Sequence, residues 1–427
     1  MKAGQRTTSG RPEIWESLLA DATRLARESP DAPLYTFLHD DLSEAGSLTR
    51  GAFQRGSLAV GQFLREAGLS PGDRAVLVYA PGLHFVTAFV GCLTAGVLPV
   101  PVFPPNPLTP GGEIEILAHV VEDCRAVVAL TTRPYEQARQ ATPADWPVVR
   151  WLCTDDLDEA EGGFEAVVVG PETPAFLQYT SGSTGHPRGV VITHGNLAHQ
   201  LQMYKDQLGF RPEAKMAFWV PPYHDLGLIS GILAALAGHG QAIMLSPIAF
   251  LRRPAVWMEM IAKFGATHTA APNFAYELAV RKTSPEQRAA LDLGSLEVAL
   301  SGGEPIRGPT IRRFLAAFAP AGLAPGCFCP AYGLAEHTVG VTMAGRQSVL
   351  VDRRSLETGG HVRIVAESAE LAVAPDSGES DSQTVEFVGC GWPRGSVQIR
   401  IVDPATGAPL AGDQVGEIRV DSPSKAA

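Results

Sequence analysis

Short apolar strands alternate with helical patterns from Ala75 to Phe318, and this alternation constrains the fold of the chain more than any other feature of its sequence. The strand patterns are brief, mostly apolar runs, whereas the helical patterns repeat apolar residues at three- and four-residue spacing. Parallel strands joined by helices produce this order, and their ligands bind beyond the carboxyl ends of the strands. The sequence therefore predicts a layered α/β architecture with its functional site at the ends of several strands.

The strand patterns lie at residues 75–79, 97–102, 126–131, 175–179, 189–193, 215–220, 241–245, 267–270 and 296–301. The helical patterns lie at residues 84–95, 114–121, 226–237, 257–264, 273–281 and 311–318. Six prolines between Pro99 and Pro110 cannot continue a helix or a central strand, so the chain is expected to leave the sheet there as an extended connection.

The rhythm changes near residue 385, where three strand patterns at 385–388, 397–402 and 415–420 are joined by turns without a helix. They predict a small antiparallel or β-barrel-like subdomain. Residues 350–384 include a stretch rich in Ser, Asp and Glu, which is typical of an insertion or a mobile loop. We therefore divide the chain into two α/β subdomains at residues 1–349, an insertion at 350–384 and a β-barrel-like subdomain at 385–427. The end directly after a strand suggests a cut within a longer protein.

Composition argues against several classes of protein. The chain has 427 residues, of which 45% are hydrophobic and 19% charged, and its net charge is −11. That charge argues against a broad nucleic-acid-binding surface. No apolar run has the length of a membrane span and no secretory signal is visible, so a cytoplasmic location is expected. The six scattered cysteines predict neither a zinc site nor a disulfide scaffold.

Residues 179–190 read YTSGSTGHPRGV, a loop of small hydroxyl-bearing and glycine residues between two predicted strands. Glycines let backbone N–H groups approach an anion, hydroxyls add donors, and Arg188 adds a positive charge. The loop is not a Walker A motif, because GxxxxGK[ST] is absent. It predicts phosphate binding through Thr180, Ser181, Gly182, Ser183, Thr184 and Gly185, although a solvated turn has the same composition.

Two further segments follow predicted strands. VPPYHDLGL at residues 220–228 places His224 and Asp225 at the mouth of the predicted site, although Asp225 is equally suited to cap the next helix. LSGGEPI at residues 300–306 contains Gly302 and Gly303, which allow a flat ligand to lie against bare backbone. A tight turn between strand and helix is the alternative interpretation.

A third segment, AYGLAEHTVGV, occupies residues 331–341. Tyr332 offers an aromatic face to a purine base, and Glu336 offers a carboxylate of the kind that binds Mg²⁺ together with substrate phosphates. All four segments at strand ends, in this order, indicate a nucleotide site.

The series YTSGSTGHPRGV, PPYHDLGL, SGGEPI, YGLAE and VGEIRV resembles the adenylate-forming superfamily of acyl- and aryl-CoA synthetases, peptide-synthetase adenylation domains and luciferases. HDLGL, SPIAFLRRPAVWMEMI, APNFAYELA, SGGEPIRGPTIRRF and YGLAEHTV are similar, more narrowly, to fatty acyl-AMP ligases. The resemblance extends from about Tyr35 to the end of the chain. It implies the large N-terminal domain of such an enzyme, with a layered αβαβα arrangement of two parallel-rich sheets.

The resemblance also implies an activity. Enzymes of this family use ATP, with Mg²⁺, to convert a fatty acid into an acyl-adenylate and pyrophosphate. They then pass the acyl group to the phosphopantetheine of an acyl carrier protein in polyketide or lipopeptide biosynthesis. Because a carboxylate must attack the α-phosphorus of another anion, positioning, Mg²⁺ and fixed donors suit this chemistry better than a covalent nucleophile does.

Residue roles are carried over by matching positions. The six residues Thr180–Gly185 correspond to the loop that holds the β- and γ-phosphates. The adenine site corresponds to Gly302, Gly303, Glu304, Pro305, Tyr332, Gly333 and Leu334. Ala335 and Glu336 correspond to positions beside the α-phosphate and the metal. His224 borders the junction of acyl group and phosphate, with Tyr223 and Asp225 beside it, and Asn273 and Phe274 belong to the acyl pocket.

The chain departs from the superfamily pattern in two ways. Arg188 stands where lysine is common, which keeps the charge but changes its geometry. The ribose-binding aspartate, the hinge and the mobile C-terminal domain with its lysine would all lie beyond Ala427, so the chain alone is expected to have low activity. Residues 350–384 fall where acyl-AMP ligases carry an insertion that is associated with restraining the mobile domain and with failure to use CoA.

Two alternatives stay open. A long-chain acyl-CoA ligase would share the nucleotide segments but should lack the insertion at residues 350–384. A non-catalytic module that binds an acyl-adenylate or a fatty acid would also share them, and the missing C-terminal parts favour it for this chain alone. The sequence makes no prediction of oligomeric state.

Overall fold

The computed structural model describes residues 17–109, 111–157, 164–180, 187–357, 361–371 and 383–427. The strands are β1 (Pro33–Leu38), β2 (Glu44–Thr49), β3 (Arg74–Leu77), β4 (Leu98–Pro101), β5 (Val128–Thr131), β6 (Arg150–Cys153), β7 (Pro174–Thr180), β8 (Arg188–Thr193), β9 (Lys215–Phe218), β10 (Gln241–Met244), β11 (His268–Ala271), β12 (Val298–Ser301), β13 (Phe328–Pro330), β14 (Ser348–Asp352), β15 (Ile364–Ser368), β16 (Thr384–Val388), β17 (Gln398–Val402) and β18 (Glu417–Asp421).

The α-helices are α1 (Leu18–Glu28), α2 (Arg50–Glu66), α3 (Leu83–Ala95), α4 (Glu113–Asp123), α5 (Arg133–Ala141), α6 (His194–Leu208), α7 (Ala234–Ala237), α8 (Pro247–Arg252), α9 (Ala255–Phe264), α10 (Asn273–Lys282), α11 (Pro285–Ala289), α12 (Gly308–Phe318) and α13 (Arg353–Glu357). A π-helix at Leu226–Leu233 leads directly into α7, and short 3-10 helices lie at Ala319–Ala321, Pro325–Cys327 and Ala335–His337. Within the described ranges, no helix is long and apolar enough to cross a bilayer.

The larger sheet has seven strands in the order β13-β12-β11-β9-β10-β1-β2. Every neighbouring pair runs parallel except β1 and β2, which are antiparallel at one edge. The helices that connect the parallel strands pack on both faces, as parallel sheets require. The predicted alternation of strands and helices is therefore confirmed.

A second sheet has four parallel strands in the order β4-β3-β5-β6. Pro99 and Pro101 lie within β4, which is an edge strand, the place in a sheet where proline is tolerated. The antiparallel pair β7 and β8 flanks the glycine-rich loop at residues 181–186. The loop itself, with Ser181, Gly182, Ser183, Thr184 and Gly185, lies outside the described residues.

Alternating strand residues build the layers of the domain. In the larger sheet, Phe218 packs into the core between the two sheets, whereas Ala217 packs against the helices on the opposite face. In the second sheet, Leu77 faces the same central core and Val76 faces the outer helices α4 and α5. This period of two places helices outside each sheet and between them. The predicted αβαβα arrangement is confirmed.

Two small antiparallel sheets follow the layered region. One has the order β15-β14-β16, and the other is the β17–β18 pair. The small antiparallel sheets that the sequence predicts are therefore present. The predicted division at residues 384 and 385 falls at the start of β16, whose partner β14 begins at Ser348. The three-part division of the chain stays a prediction.

The π-helix differs from the ordinary helix that the sequence predicts at residues 226–237. Two glycines spaced four residues apart allow it to pack closely. A Cβ on Gly227 would lie 2.2 Å from Pro221 O, and one on Gly231 would lie 2.8 Å from the ring of Phe218. π-helical turns are rare and recur at functional sites. This one begins directly after His224 and Asp225, which favours a functional role for the segment.

Candidate active site

Four of the predicted segments follow four neighbouring strands of the seven-stranded sheet. In sheet order these strands are β13, β12, β11 and β9. The first predicted site residues after them are Tyr332, Gly302, Asn273 and Tyr223, respectively. Since the four strands run parallel, their carboxyl ends lie at one edge of the sheet. The fold therefore brings together segments that are up to about a hundred residues apart in the sequence.

Gly302 and Gly303 lie beside the segment that carries Tyr332. Ala331 N donates a hydrogen bond to Ser301 O at 2.8 Å, which continues the β12–β13 pairing into this turn. A Cβ on Gly302 would lie 3.5 Å from Ala331 O, while Gly303 has a φ of +82° and open space around it. Burial raises the pKa of the half-buried Tyr332 phenol. The result is a strip of bare backbone next to an aromatic ring, a surface suited to a flat base.

The predicted acyl segment is tied to the predicted adenine segment by two hydrogen bonds. Phe274 N donates to Glu304 Oε1 at 2.6 Å, and Arg307 N donates to Asn273 Oδ1 at 3.1 Å. Asn273 is buried, whereas the Phe274 side chain is 44% exposed. The Phe274 ring lies 6.3 Å from the Trp219 ring. Glu304 thus holds the start of α10, and Asn273 in turn holds the segment after β12.

His224 and Asp225 form a close pair at the start of the π-helix, which is an ion pair when the imidazole is protonated. His224 Nδ1 lies 2.7 Å from Asp225 Oδ1, and Leu226 N donates to the same oxygen at 2.6 Å. The hydrogen bond to Asp225 raises the pKa of His224 despite partial burial of the ring. Asp225 therefore caps the π-helix, the alternative that the sequence left open, while its role as a site residue stays a prediction. Burial raises the pKa of the neighbouring Tyr223 to about 12, so its phenol stays neutral.

Changing Asp225 to asparagine is expected to lower the pKa of His224. Asparagine still accepts from Leu226 N, but it removes the negative charge that favours the imidazolium. In the unchanged chain the pair stabilises the fold below the usual histidine pKa of about 6.5, and this contribution is lost as the pH rises through the raised pKa of the folded state. Titration of the His224 ring by NMR, with a His224→Gln chain to assign the signal, measures the shift. Equal midpoints in both proteins would contradict the prediction.

Helix α4 holds both ends of the glycine-rich loop. Tyr179 in β7 donates its hydroxyl hydrogen bond to Asp123 Oδ2 at 2.5 Å, and His119 Nε2 lies 3.2 Å from Pro187 O. A Cβ on Gly189 would lie 3.0 Å from the Tyr179 ring, so the tyrosine packs on bare backbone of β8. This anchoring was not predicted, because Asp123 and His119 belong to a helix more than fifty residues before the loop.

The β7–β8 pair reaches the rest of the site through Gln178. Its Nε2 donates to Tyr223 O at 3.1 Å and so joins β7 to the segment after β9. Thr180 and Arg188 face each other across the pair at its open end. Thr180 is partly buried, and the side chain of Arg188 is exposed there. Pro305, the remaining predicted residue of the turn after β12, is likewise exposed.

Three buried polar atoms at these strand ends have no hydrogen-bond partner among the described residues. They are Gln178 Oε1, Trp219 Nε1 and Ser301 Oγ. Buried polar atoms are nearly always paired in folded proteins, and unpaired ones at a binding edge are candidates for contacts to a ligand or water. None of the three residues was predicted as a site residue. Only Ser301 carried a signal, since it directly precedes Gly302.

The Tyr332–Glu336 turn depends on a glycine. A Cβ on Gly333 would lie 1.6 Å from Val339 O, so no other residue fits without movement of the backbone. Leu334 is partly buried and Ala335 is buried, and Ala335 begins the 3-10 helix that carries the exposed Glu336. The described residues contain no group of three or more His, Cys, Asp or Glu side chains that could hold a metal ion. One exposed carboxylate suits Mg²⁺ that binds mainly through substrate phosphates.

Comparison with known proteins identifies relatives along nearly the whole chain. The sequence profile of the AMP-binding enzyme family matches residues 22–427. The medium-chain-fatty-acid–[acyl-carrier-protein] ligase JamA of Moorena producens is 36% identical over 402 residues, covering 92% of this chain and 66% of JamA. The long-chain-fatty-acid–AMP ligase FadD26 of Mycobacterium tuberculosis is 36% identical over 415 residues, covering 92% of this chain and 67% of FadD26. The chain thus spans about two thirds of the length of these relatives.

Solved structures of fatty acyl-AMP ligases are also similar to this chain. The crystal structure of a fatty acid AMP ligase from Legionella pneumophila superposes with a TM-score of 0.87 at 32% identity, covering 98% of this chain and 71% of that one. A Legionella pneumophila fatty acyl-adenylate ligase in complex with acyl adenylate and pyrophosphate gives a TM-score of 0.86 at 31% identity, with 98% and 71% coverage. An adenylation domain of a keto acid-selecting peptide synthetase module, at 21% identity and a TM-score of 0.84, shares the fold.

Proposed function

Since the chain belongs to the AMP-binding enzymes and, among them, to the fatty acyl-AMP ligases, we propose that it binds ATP and a fatty acid for the synthesis of an acyl-adenylate with release of pyrophosphate. The observation that carries this proposal is the arrangement at the sheet edge. The segments of Tyr332, Gly302, Asn273 and Tyr223 follow the adjacent strands β13, β12, β11 and β9. A nucleotide and an acyl chain lying across that edge would contact all four.

The reaction joins two anions, so the task of the residues is to position the reactants and to offset charge. The carboxylate oxygen of the fatty acid attacks the α-phosphorus of ATP, and the bond to the pyrophosphate leaving group breaks. The adenine would lie on Gly302 and Gly303 against the ring of Tyr332. The acyl chain would lie near Asn273 and Phe274. This arrangement holds the carboxylate at the junction, beside His224.

Charge at the junction comes from three groups in the proposal. The raised pKa of His224 keeps a larger fraction of its ring positively charged at neutral pH, which favours two approaching anions. Arg188 offers a second positive charge at the end of the loop. Glu336 would hold Mg²⁺, which, when bound, neutralises phosphate charge. The loop of Thr180, Ser181, Gly182, Ser183, Thr184 and Gly185 is proposed to bind the β- and γ-phosphates.

The acceptor of the acyl group is a further part of the proposal. JamA ligates a medium-chain fatty acid to an acyl carrier protein, and FadD26 is named as an AMP ligase. We therefore propose an acyl carrier protein of a polyketide or lipopeptide pathway as the partner, in the cytoplasm. A long-chain acyl-CoA ligase is the alternative enzyme. Efficient acyl-CoA synthesis by a longer protein containing this chain would favour that alternative.

The chain itself offers a direct test through an acyl-adenylate analogue. We expect dodecanoyl-sulfamoyl adenosine to bind more tightly than ATP, because it occupies both the acyl and the adenine positions at once. Tyr332→Ala should weaken binding about tenfold, since base–aromatic stacking contributes about 1–3 kcal/mol. Phe387→Ala removes an exposed aromatic ring on β16 and serves as the matched control.

Isothermal titration calorimetry measures these affinities. Absence of binding by the unchanged chain would contradict the proposed function. Equal losses in Tyr332→Ala and Phe387→Ala would remove Tyr332 from the adenine position. Binding of the analogue without catalysis by any longer protein that contains this chain would support the non-catalytic module instead.

A further inference from the structure

Residues 422–427, here called the strap, follow β18, turn at Pro423 and Ser424, and lie between the Glu336 turn and the β7–β8 pair. Two backbone hydrogen bonds attach its end to both neighbours. Ala426 N donates to Glu336 O at 2.8 Å, and Ala427 N donates to Val191 O in β8 at 3.1 Å. The strap is thus the direct backbone link between the proposed metal-binding turn and the hairpin that carries the glycine-rich loop.

Side chains from both neighbours reinforce this link. Thr338 Oγ1 donates to Ser424 O at 2.7 Å, and His337 Nδ1 lies 2.8 Å from Ser422 Oγ. From α6, His199 Nδ1 lies 2.5 Å from Ser424 Oγ. Ser424 itself is buried, with 1% of its surface exposed. The strap is therefore held along its length by hydrogen bonds, and Ala426 also packs against the central core.

Asn196 donates two hydrogen bonds to the strap. Its Nδ2 donates to Pro423 O and to Lys425 O, each at 2.8 Å. Its Oδ1 accepts from Thr193 N at 2.9 Å, and so closes the capping box at the start of α6. The side chain is 8% exposed, so these bonds form away from bulk water. Both of its donor hydrogens and its acceptor oxygen are used, which fixes the orientation of the amide.

We propose that the strap sets the position of Glu336 relative to the phosphate-binding hairpin, and that Asn196 is the positioning residue that holds it there. This inference rests on the proposed function, because it assigns Asn196 to the same site. Among the described residues, the side-chain hydrogen bonds of Asn196 go to Thr193, Pro423 and Lys425 and not to the segments of Tyr332, Gly302, Asn273 or Tyr223. It acts through the strap, whose backbone touches Glu336 on one side and β8 on the other.

The chain offers a variant that separates this role from helix capping. In Asn196→Asp the carboxylate still accepts from Thr193 N, but both donors are lost and two carbonyl oxygens face a negative charge. Thr193→Ala is the matched control, because it removes the other half of the capping box and leaves both bonds to the strap. Thr338→Val is a second, nearly isosteric variant that removes only the hydroxyl bond to Ser424 O.

Hydrogen exchange measured by mass spectrometry reports the position of the strap without any ligand. In Asn196→Asp we expect exchange in peptides covering residues 333–340 and 422–427 to rise about tenfold, as loss of a buried hydrogen bond allows local opening. Thr338→Val should raise it in the same peptides by a smaller factor. Peptides from β11 should be unchanged. Thr193→Ala should affect the start of α6 only.

Binding of dodecanoyl-sulfamoyl adenosine and of ATP with Mg²⁺ completes the test. The strap variants should weaken the binding of ATP with Mg²⁺ more than the binding of the analogue. Only ATP with Mg²⁺ places phosphates and a metal beside Glu336. Equal exchange in Asn196→Asp and Thr193→Ala would overturn the proposal, as would unchanged ATP affinity in a variant with a loosened strap. If the unchanged chain binds neither ligand, the proposed function fails, while exchange at residues 333–340 still decides whether the strap holds the turn.

Discussion

Replacing Glu336 by alanine is expected to lower fatty-acid-dependent pyrophosphate release by about a hundredfold or more in a longer protein that contains this chain, because the change would remove the proposed metal ligand beside the reacting phosphate. Glu336 is exposed on a 3-10 turn, so its loss should change folding little. The assay is release of pyrophosphate at saturating fatty acid, with Mg²⁺ varied. Excess Mg²⁺ should recover only part of the rate.

Two further variants make this result specific. Glu336→Gln keeps the size and one oxygen but loses the charge, and it should lie between alanine and the unchanged protein. Glu370→Ala removes another exposed carboxylate, distant in sequence from the turn, and should leave the rate unchanged. Near-normal turnover of Glu336→Ala at saturating Mg²⁺ would remove Glu336 from the site.

Gly333→Ala is expected to displace the whole Tyr332–Glu336 turn. The added carbon would lie 1.6 Å from Val339 O, and a backbone atom cannot rotate away as the tip of a side chain can. The turn must move, and overpacking of this kind costs about 1–3 kcal/mol of folding free energy. We expect both a lower urea midpoint and at least a tenfold loss of affinity for the acyl-adenylate analogue, measured by calorimetry, since a tenfold loss needs only about 1.4 kcal/mol.

Gly82→Ala provides the matched control for this change. Its backbone is extended, with a φ of 165°, and the nearest atom to an added Cβ is 3.9 Å away. Alanine should therefore be accommodated there without loss of stability or binding. An analogue affinity of Gly333→Ala equal to that of Gly82→Ala would show that the turn does not contact the ligand.

Local sequence patterns predicted where the strands and helices lie better than they predicted which strands are neighbours in the sheets. The strands at residues 215–220, 241–245, 267–270 and 296–301 were all evident from their apolar runs. Their sheet order was not, because β1, from the start of the chain, pairs with β10 more than two hundred residues later. Such pairing is decided by packing between distant segments, which leaves no periodic signal in either one.

For the candidate site, too, some residues were predicted from the sequence and others were missed. Glycines and charged residues after predicted strands marked the segments of Gly302, His224 and Tyr332. Gln178 and Asn196 were missed, because a single amide in a strand or in the first turn of a helix is ordinary in sequence. Their importance arises from burial and from partners 45 and 227 residues away, respectively, which only the folded chain reveals.

The π-helix is a third feature that the sequence did not predict. Residues 226–237 carry the apolar spacing of a regular helix, and nothing local announces the wider turn. It arises where Gly227 and Gly231 pack on Pro221 and Phe218, contacts between the helix and the strand end before it. The tertiary contacts therefore select the helix type, and sequence periodicity identifies only that a helix is present.

The prolines of β4 have a consequence for the hairpin that carries the glycine-rich loop. Leu98 N donates to Asp73 O, just before β3, and Val102 N donates to Leu77 O in β3. The alternating Pro99 and Pro101 therefore direct their nitrogens, which carry no hydrogen, to the opposite side of β4. β7 lies along β4 on that side, yet it pairs only with β8. The described strands of the hairpin therefore pack against the four-stranded sheet without forming a backbone ladder with it. The position of the hairpin relative to this sheet therefore depends on side-chain anchors, the Tyr179–Asp123 and His119–Pro187 contacts with α4, instead of on a backbone ladder.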